Sequence, residues 1–265
     1  MTATDVQGEH APEPDFLPFD ATTGYWQEIV AAGALTTPAE PPYSRGYPAR
    51  LPDGRYLVLP LRGVPADPRR CVASLIANHA SLDVVETLAG FMAERARAFG
   101  AEIVVGLPTL GLAFAPLVAR GLGFSRYAPF GYSRKYWYDE SLAVPVRSLT
   151  TPDAGKLLYV DPNLADMLRG RRVLVVDDAV STGQTMASAL TLLQRCQAHV
   201  AGIVVAMCQG ERWRTRLVDA EGAPIPLACA FESPRMQRGD SNAQASGILS
   251  LIHISEPTRR RGNSY

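Results

Sequence analysis

The stretch that most constrains the fold is VLVVDDAVSTGQT, residues 173–185. It begins with four aliphatic residues, continues with the adjacent carboxylates of Asp177 and Asp178, and ends in small hydroxyl residues and glycine. A short, continuous apolar run is typical of a strand that is buried on both faces, as in a parallel sheet, because a strand with one wet face alternates apolar and polar residues. The chain is therefore expected to build a parallel sheet around residues 172–178.

The segments on either side of this strand predict an alternation of strands and helices. An amphipathic helical pattern begins after Ser81 and ends at Gly100, and further apolar strands and helices follow it. Strands that are apolar throughout and alternate with helices indicate an α/β fold, a doubly wound parallel sheet covered on both faces. The predicted strands are 55–62, 102–108, 172–178 and 199–208, the predicted helices are 24–34, 82–100, 110–123 and 184–197, and 125–160 is predicted to hold a strand and a mobile loop.

Composition narrows the class of protein. The 26 basic and 26 acidic residues balance, so no overall field attracts nucleic acid or an anionic membrane, and an anionic ligand has to be held locally. The four cysteines are scattered without a CxxC pair, which favours reduced thiols over a zinc site or a disulfide framework. The first residues lack the pattern of a signal peptide and no long apolar run occurs, so we expect a soluble, cytoplasmic protein.

The end of the chain is expected to be foreign to the natural protein. Residues 249–259 resemble the in-frame translation of a transposase-end sequencing adapter, so the natural reading frame is predicted to be interrupted near residue 248. The alternative is a native polar terminus. Residues 249–265 are accordingly given no functional role.

A ligand site is predicted at residues 177–185, because ligands of doubly wound sheets bind beyond the carboxyl ends of the strands. A turn of small residues that leads into a helix offers backbone N–H groups and the positive end of the helix dipole to a phosphate. Two carboxylates would repel that phosphate unless they face something else, and ribose hydroxyls or a Mg²⁺ ion are suitable partners. The combination predicts a site for a phosphorylated sugar.

VLVVDDAVSTGQT resembles the phosphoribosyl-pyrophosphate (PRPP) binding motif of the type I phosphoribosyltransferases. The resemblance extends to the order of parts over residues 80–210. GLPTLG at 106–111 stands where that family has its pyrophosphate loop, and Arg134 and Lys135 match the Arg-Lys pair of its flexible loop. In fold, the resemblance implies a doubly wound parallel sheet with a small hood formed by the N-terminal region.

In function, the resemblance implies Mg²⁺-dependent transfer of the 5-phosphoribosyl group of PRPP to a nucleobase, a purine by general similarity, with release of pyrophosphate. Asp177 and Asp178 would hold the ribose hydroxyls, directly or through Mg²⁺-bound water, and Arg134 and Lys135 would neutralise the leaving pyrophosphate. The chain departs from the family at Pro108 and Leu110, where the loop often carries a charged residue. The residues expected to contact the 5-phosphate are Val180, Ser181, Thr182, Gly183, Gln184 and Thr185, and those expected to contact pyrophosphate are Thr109, Leu110 and Gly111.

The resemblance also suggests an organisation for the whole chain. Residues 1–20 are expected to be disordered, residues 21–75 to form the hood and residues 76–235 to form the core. A homodimer is expected from family habit, with PRPP and a nucleobase as partners and neither nucleic acid nor a membrane. Aromatic residues that could stack on the base or pack elsewhere are Tyr43 and Tyr47 in the hood and Tyr132, Tyr136, Trp137 and Tyr138 near the Arg-Lys pair.

Four alternatives stay open at this point. VLVVDD alone also resembles the first strand of a response-regulator receiver, but STGQT follows it directly and about 170 residues precede it. It resembles a Walker B strand as well, but the sequence has no GxxxxGK[ST] motif. A PRPP-binding regulator without transferase activity is a third, and a catalytically silent interaction protein is a fourth. The RWRTR cluster at 212–216 is interpreted as a solvated face rather than a nucleic-acid contact.

Overall fold

A computed structural model of the chain describes residues 23–43, 46–64, 67–146, 156–238 and 252–254. Residues 1–20, which are predicted to be disordered, lie outside these ranges, and so do residues 147–155 of the predicted mobile loop. The strands are β1 Gly46–Arg50, β2 Tyr56–Val64, β3 Asp67–Ala73, β4 Ile103–Gly106, β5 Ala128–Pro129, β6 Ala143–Pro145, β7 Leu157–Tyr159, β8 Arg172–Val180, β9 His199–Gln209, β10 Leu227–Ser233, β11 Met236–Arg238 and β12 Ile252–Ile254. The α-helices are α1 Leu82–Ala96, α2 Gly111–Gly121, α3 Pro162–Leu168 and α4 Gln184–Arg195, and the 3₁₀ helices are Ala32–Ala34, Ala77–His79, Arg97–Phe99 and Glu140–Leu142.

Five strands form the central sheet in the order β10-β9-β8-β4-β5. Every neighbouring pair in it is parallel. The strands predicted at 102–108, 172–178 and 199–208 all belong to this sheet, and the predicted α/β fold is confirmed.

The central strands are apolar over their middle residues because both of their faces are covered there. On one face, side chains of β4, β8 and β9 pack with α1 and α2, and on the other face they pack with α3 and α4. The first core includes Val104, Leu174 and Val204 with Leu88 and Phe114, and the second includes Val105, Val175 and Val205 with Leu168 and Leu192.

The helix predicted from residue 82 begins and ends where its capping residues lie. The hydroxyl of Ser81 accepts a hydrogen bond from the backbone N–H of Val84 at 3.3 Å, which satisfies one of the unpaired donors of the first turn. After α1 the chain continues as a 3₁₀ turn, and Gly100 closes it with a φ of 61°, a conformation that glycine adopts without strain. Helices α2 and α4 likewise lie within the predicted segments 110–123 and 184–197.

The helix predicted at 24–34 is wrong. Gly24 and Trp26 both have left-handed backbone conformations, with φ of 78° and 63°, which a right-handed helix excludes. Val30 then pairs with the start of β2, and only Ala32–Ala34 forms a single 3₁₀ turn. Trp26, which is 5% exposed, is buried by tertiary packing and not by a helical face, whereas Ala31, Ala32 and Ala34 are exposed.

A second sheet, antiparallel, has the order β1-β2-β3-β11-β12. It joins strands that precede the central sheet in the sequence to strands that follow it. Strand β12 lies inside the segment 249–265, and its backbone pairing with β11 does not test the prediction that this segment is foreign. The division into a hood at 21–75 and a core at 76–235 stays a prediction.

Candidate functional site

The crevice of the central sheet lies between β4 and β8. The chain leaves β4 through α2 on one face and leaves β8 through α4 on the other, because the two helices belong to opposite cores. At such a switch in strand order the connections diverge and leave a crevice beyond the carboxyl ends of the strands. The two segments that the sequence analysis selected, 106–111 and 177–185, follow these two strands and therefore meet there.

Gly111 and Asp177 make the closest contact between the two segments. A Cβ atom placed on Gly111 would lie 2.7 Å from both the Cα and the Oδ1 of Asp177 and 2.9 Å from the carbonyl oxygen of Val176. The backbone N–H of Gly111 donates a hydrogen bond to the Asp177 carboxylate, and the N–H of Asp178 donates to Asp177 Oδ1 at 2.9 Å. Only glycine fits at position 111, and Asp177 fixes the start of α2 to the end of β8.

The two carboxylates are held at an energetic cost in the ligand-free protein. Asp177 is 7% exposed and Asp178 is half-buried. Burial raises the pKa of Asp177 well above its usual range, and the charge of Asp178 raises it further. Burial also raises the pKa of Asp178. In the described part of the chain neither carboxylate forms a salt bridge. The pair therefore favours any ligand that brings positive charge or hydrogen-bond donors.

The loop after these carboxylates ends at Gly183, the N-cap of α4. Gly183 has a φ of 75° and, as a glycine, supplies no side-chain cap to α4. Among the described residues, the first N–H groups of α4 therefore receive no hydrogen bond from an N-cap side chain. The side chains of Ser181, Thr182, Gln184 and Thr185 are partly exposed around this turn. Val180 is 3% exposed and packs in the core, so only its backbone can reach a ligand. We call residues 180–185 the cradle, because a turn of this kind at a helix start can hold a phosphate. The role of these residues toward the 5-phosphate stays a prediction.

The loop predicted to bind pyrophosphate lies on the other wall of the crevice. The peptide bond between Pro108 and Thr109 is cis, and Thr109 is exposed. Leu110 packs partly against the core that contains α2. The loop offers backbone groups and the Thr109 hydroxyl, and its roles toward pyrophosphate stay predictions.

The structure does not bring the Arg134 guanidinium to the carboxylates. Its Nη2 lies 2.9 Å from Oε1 of Glu140, in an exposed ion pair, and the neighbouring Lys135 is exposed as well. Exposed ion pairs of this kind contribute about 0–1 kcal/mol, so the pair with Glu140 can be exchanged for a ligand phosphate at little cost. The predicted role of Arg134 and Lys135 stays a prediction.

The aromatic run near Arg134 divides into two parts. Trp137 donates its indole N–H to Asp161 Oδ2 at 3.0 Å, and the ring of Tyr138 lies 5.8 Å from that of Tyr159, so both pack along the segment 159–161. Tyr136 is 95% exposed. Within this run, the charges of Asp177 and Asp178 affect the pKa of Tyr132.

Tyr132 is a site residue whose position the sequence analysis left undecided. Burial and the charges of Asp177 and Asp178 raise the pKa of Tyr132 to about 12. The Nζ of Lys156 lies 3.5 Å from the centre of its ring. Tyr132 follows β5, the strand beside β4. Its position beyond the carboxyl end of a strand in the central sheet is the signal from which it could have been assigned to the site.

The antiparallel sheet is attached at the same edge of the central sheet. Gln209, at the end of β9, donates its side-chain N–H to the carbonyl of Ala73 at 3.1 Å, and Tyr47 donates its hydroxyl to the carbonyl of Glu232 at 3.4 Å. Tyr43 is 3% exposed and contacts Tyr47 edge-on, with ring centres 5.4 Å apart. These contacts attach the antiparallel sheet near the carboxyl ends of β9 and β10, and the hood at residues 21–75 stays a prediction.

Within the described ranges, no group of three or more His, Cys, Asp or Glu side chains is arranged to hold a metal ion. No helix in the same ranges is long and apolar enough to span a membrane.

The chain is similar in sequence to several known proteins. The family model of the "Phosphoribosyl transferase domain" matches residues 72–224. The adenine phosphoribosyltransferase of Streptomyces coelicolor is 36% identical over 148 residues, which cover 51% of this chain and 71% of that protein. That of Streptomyces avermitilis is 31% identical over 158 residues, which cover 58% of this chain and 80% of that protein. The crystal structure of the enzyme from Leishmania tarentolae matches with a TM-score of 0.49 and 18% identity, over 65% of this chain and 82% of that one.

Proposed function

The chain belongs to the phosphoribosyl transferase domain family, and on that premise we propose that it transfers the 5-phosphoribosyl group of PRPP to a purine base and releases pyrophosphate. The relatives in Streptomyces coelicolor and Streptomyces avermitilis are both adenine phosphoribosyltransferases, so adenine is the first base to test.

The observation that carries the proposal is the meeting of two unlike elements at one crevice. The uncapped start of α4 at Gly183 offers N–H groups to the 5-phosphate, and the carboxylates of Asp177 and Asp178 lie next to it. Carboxylates accept hydrogen bonds from ribose hydroxyls, and a helix start binds phosphate. A phosphorylated sugar satisfies both elements, whereas a simple phosphate would satisfy only one.

The proposed reaction follows from this arrangement. A ring nitrogen of the base attacks C1 of PRPP, the bond from C1 to the pyrophosphate oxygen breaks, and the configuration at C1 inverts. Positive charge develops on the ribose ring in the transition state, close to Asp177 and Asp178, which stabilise it electrostatically. The remaining catalytic effect is orientation, because the cradle at Gly183 and the loop at 107–111 hold the two ends of PRPP.

Mg²⁺ is part of the proposal. Two adjacent carboxylates with raised pKa values suit a hard divalent cation, which proteins commonly bind through one or two carboxylates together with substrate phosphates. Asp177 and Asp178 would hold it, and when bound it supplies positive charge beside the leaving pyrophosphate. Removal of Mg²⁺ by EDTA is expected to abolish transfer, and added Mg²⁺ is expected to restore it.

A base-by-base assay tests the proposal. The full chain, PRPP and Mg²⁺ are incubated separately with adenine, guanine, hypoxanthine, xanthine, uracil and orotate, and pyrophosphate release is measured. Release with adenine, or with another single purine, supports the proposal and names the substrate. Release with none of the six, from a protein that still binds PRPP in a calorimetric titration, would contradict transfer and leave the PRPP-binding regulator.

A homodimer and a cytoplasmic location complete the proposal. Both follow from the family resemblance and the composition. Size-exclusion chromatography with light scattering measures the first, since a dimer has twice the 28.6 kDa mass of the chain.

A further inference from the structure

The turn between β9 and β10 carries the RWRTR cluster, which the sequence analysis interpreted as a solvated face. That interpretation holds for its three arginines, Arg212, Arg214 and Arg216, which are exposed. It does not hold for Trp213 and Leu217, which are 7% and 1% exposed. The turn therefore has a buried side.

The buried side of the turn packs on the phosphate cradle. A Cβ atom placed on Gly183 would lie 3.3 Å from Cδ2 of Leu217 and 3.4 Å from both the Cα and the Cβ of Trp213. Gly183 also has a φ of 75°, so its backbone conformation is one that few other residues adopt. The residue that begins α4 is thus held from behind by two side chains that are distant in sequence.

The turn is itself fixed to the core. Trp213 donates its indole N–H to the carbonyl of Gly210 at 3.0 Å, and Gly210 donates its backbone N–H to the carbonyl of Ser233 at 3.0 Å. The backbone N–H of Leu217 bonds to the carbonyl of Trp213 at 3.2 Å, and that of Ile225 bonds to the carbonyl of Leu217 at 3.0 Å. These bonds connect the turn to the end of β10 and make it a firm support.

Arg214 is engaged within the turn in this conformation. Arg214 lies 4.6 Å from the centre of the Trp213 ring and its Nε is 3.5 Å from Oε1 of Glu211. Its guanidinium therefore covers the outer face of the indole. The contribution of Trp213 and Leu217 to the cradle is packing rather than charge.

We infer that Leu217 and Trp213 are positioning residues for the 5-phosphate, which hold Gly183 and the first N–H groups of α4 in the conformation that binds it. This inference rests on the proposed function and adds to it a part of the chain outside the PRPP motif. The backbone N–H groups of the cradle cannot adjust by rotating a side chain, so their contribution to affinity depends on how firmly the backbone is held.

Ligands that carry only one end of PRPP distinguish a specific effect on the 5-phosphate site from a general loss of structure. Ribose 5-phosphate carries the 5-phosphate and no pyrophosphate, whereas inorganic pyrophosphate occupies only the loop at 107–111. Leu217→Ala is expected to weaken ribose 5-phosphate about tenfold in a calorimetric titration with Mg²⁺, and to change pyrophosphate affinity less than twofold. Val218→Ala is the matched control, since Val218 is adjacent and 37% exposed, and it is expected to change neither.

Two further readouts keep the inference testable if Leu217→Ala unfolds. The milder Leu217→Val is expected to raise KM for PRPP several-fold with kcat nearly unchanged. Ribose 5-phosphate is expected to change the tryptophan fluorescence of the wild-type protein and not that of Trp213→Phe. Equal loss of both ligands, or loss of neither, would overturn the inference alone. Failure of the wild-type protein to bind PRPP would instead overturn the proposed function as well.

Discussion

At the residue scale, the carboxylates of Asp177 and Asp178 lower the free energy of unfolding of the protein when no ligand is bound. Asp177 is buried and the adjacent Asp178 is half-buried, neither forms a salt bridge in the described part of the chain, and burial raises the pKa of each. A group whose pKa is raised on folding binds more protons in the folded state than in the unfolded state. The carboxylates that are needed for the ligand therefore weaken the ligand-free fold at neutral pH.

The first prediction is a change of stability with pH. The free energy of unfolding of the ligand-free protein should fall as the pH rises from about 4, the pKa of an unfolded Asp, through the raised pKa of Asp177. The loss should be complete above that pKa, because both carboxylates are then ionised. Urea unfolding across this range, compared with Asp177→Asn, measures it. A stability difference between the two proteins that does not vary with pH would contradict the prediction.

The second prediction concerns Asp178→Asn. Removal of one of two neighbouring charges should stabilise the ligand-free fold by about 1 kcal/mol, within the range of single stabilising substitutions, and should lower transfer at least tenfold. Asp166→Asn is the control, because Asp166 forms only an exposed pair with Arg169 and is expected to change stability by less than about 0.5 kcal/mol. Thermal unfolding and pyrophosphate release measure the two effects. A variant that is both less stable and fully active would contradict the assignment.

At the element scale, the start of α2 and the end of β8 form one unit. The contact between Gly111 and Asp177 links the two elements and leaves no room for a Cβ atom at position 111. The elements that follow from local sequence, such as β8 and α4, were predicted within about two residues, because apolar runs and capping glycines are local signals. Strand β11 was missed because it pairs with β3, which is distant in sequence. Strands β1 and β3 form hairpins with the neighbouring β2 and were missed because each contains proline, which local signals assign to turns.

The site shows the same division between local and distant signals. The PRPP motif is contiguous, so its residues could be found from the sequence alone. Tyr132 and the support at Trp213 and Leu217 come close to the site only through the order of the strands and the path of the β9–β10 turn. The false helix at 24–34 has a related cause, because a composition that suits a helix was overridden by left-handed backbone at Gly24 and Trp26.

The third prediction is a pair of glycine substitutions with opposite effects. Gly111→Ala should destabilise the protein by about 1–3 kcal/mol, as overpacking does, and should weaken PRPP binding, since its Cβ would lie 2.7 Å from Asp177. Gly90→Ala, inside α1 with nothing within 4 Å of its Cβ, should stabilise by about 0.5–1 kcal/mol. Chemical unfolding and a PRPP titration measure both. The same sign of change in stability for the two variants would count against the contact.

At the scale of the whole molecule, the crevice is closed by parts of the chain that lie far apart in sequence. The central sheet supplies the carboxylates and the cradle, the β9–β10 turn supports the cradle, and the antiparallel sheet is attached at the same edge through Gln209 and Tyr47. That second sheet includes β12, from the segment 249–265.

The fourth prediction tests the role of this last segment. If residues 249–265 are foreign to the natural protein, a chain that ends at Gly247 should keep its thermal stability within about 1 kcal/mol, the size of an ordinary single substitution, and should keep its transfer activity. Thermal unfolding and pyrophosphate release with adenine compare the two chains. A truncated chain that loses its fold would show that β12 contributes to the second sheet.

The most direct measurement is a calorimetric titration of PRPP with Mg²⁺ into the wild-type protein and into the double variant Asp177→Asn, Asp178→Asn, with circular dichroism to establish that both are folded. Wild-type protein is predicted to bind PRPP, and the double variant is predicted to bind it at least about a hundredfold more weakly, because charge-assisted bonds to the ribose hydroxyls and to Mg²⁺ contribute about 1.5–3 kcal/mol each. Equal affinity of the two folded proteins would contradict the assignment of this crevice as the PRPP site.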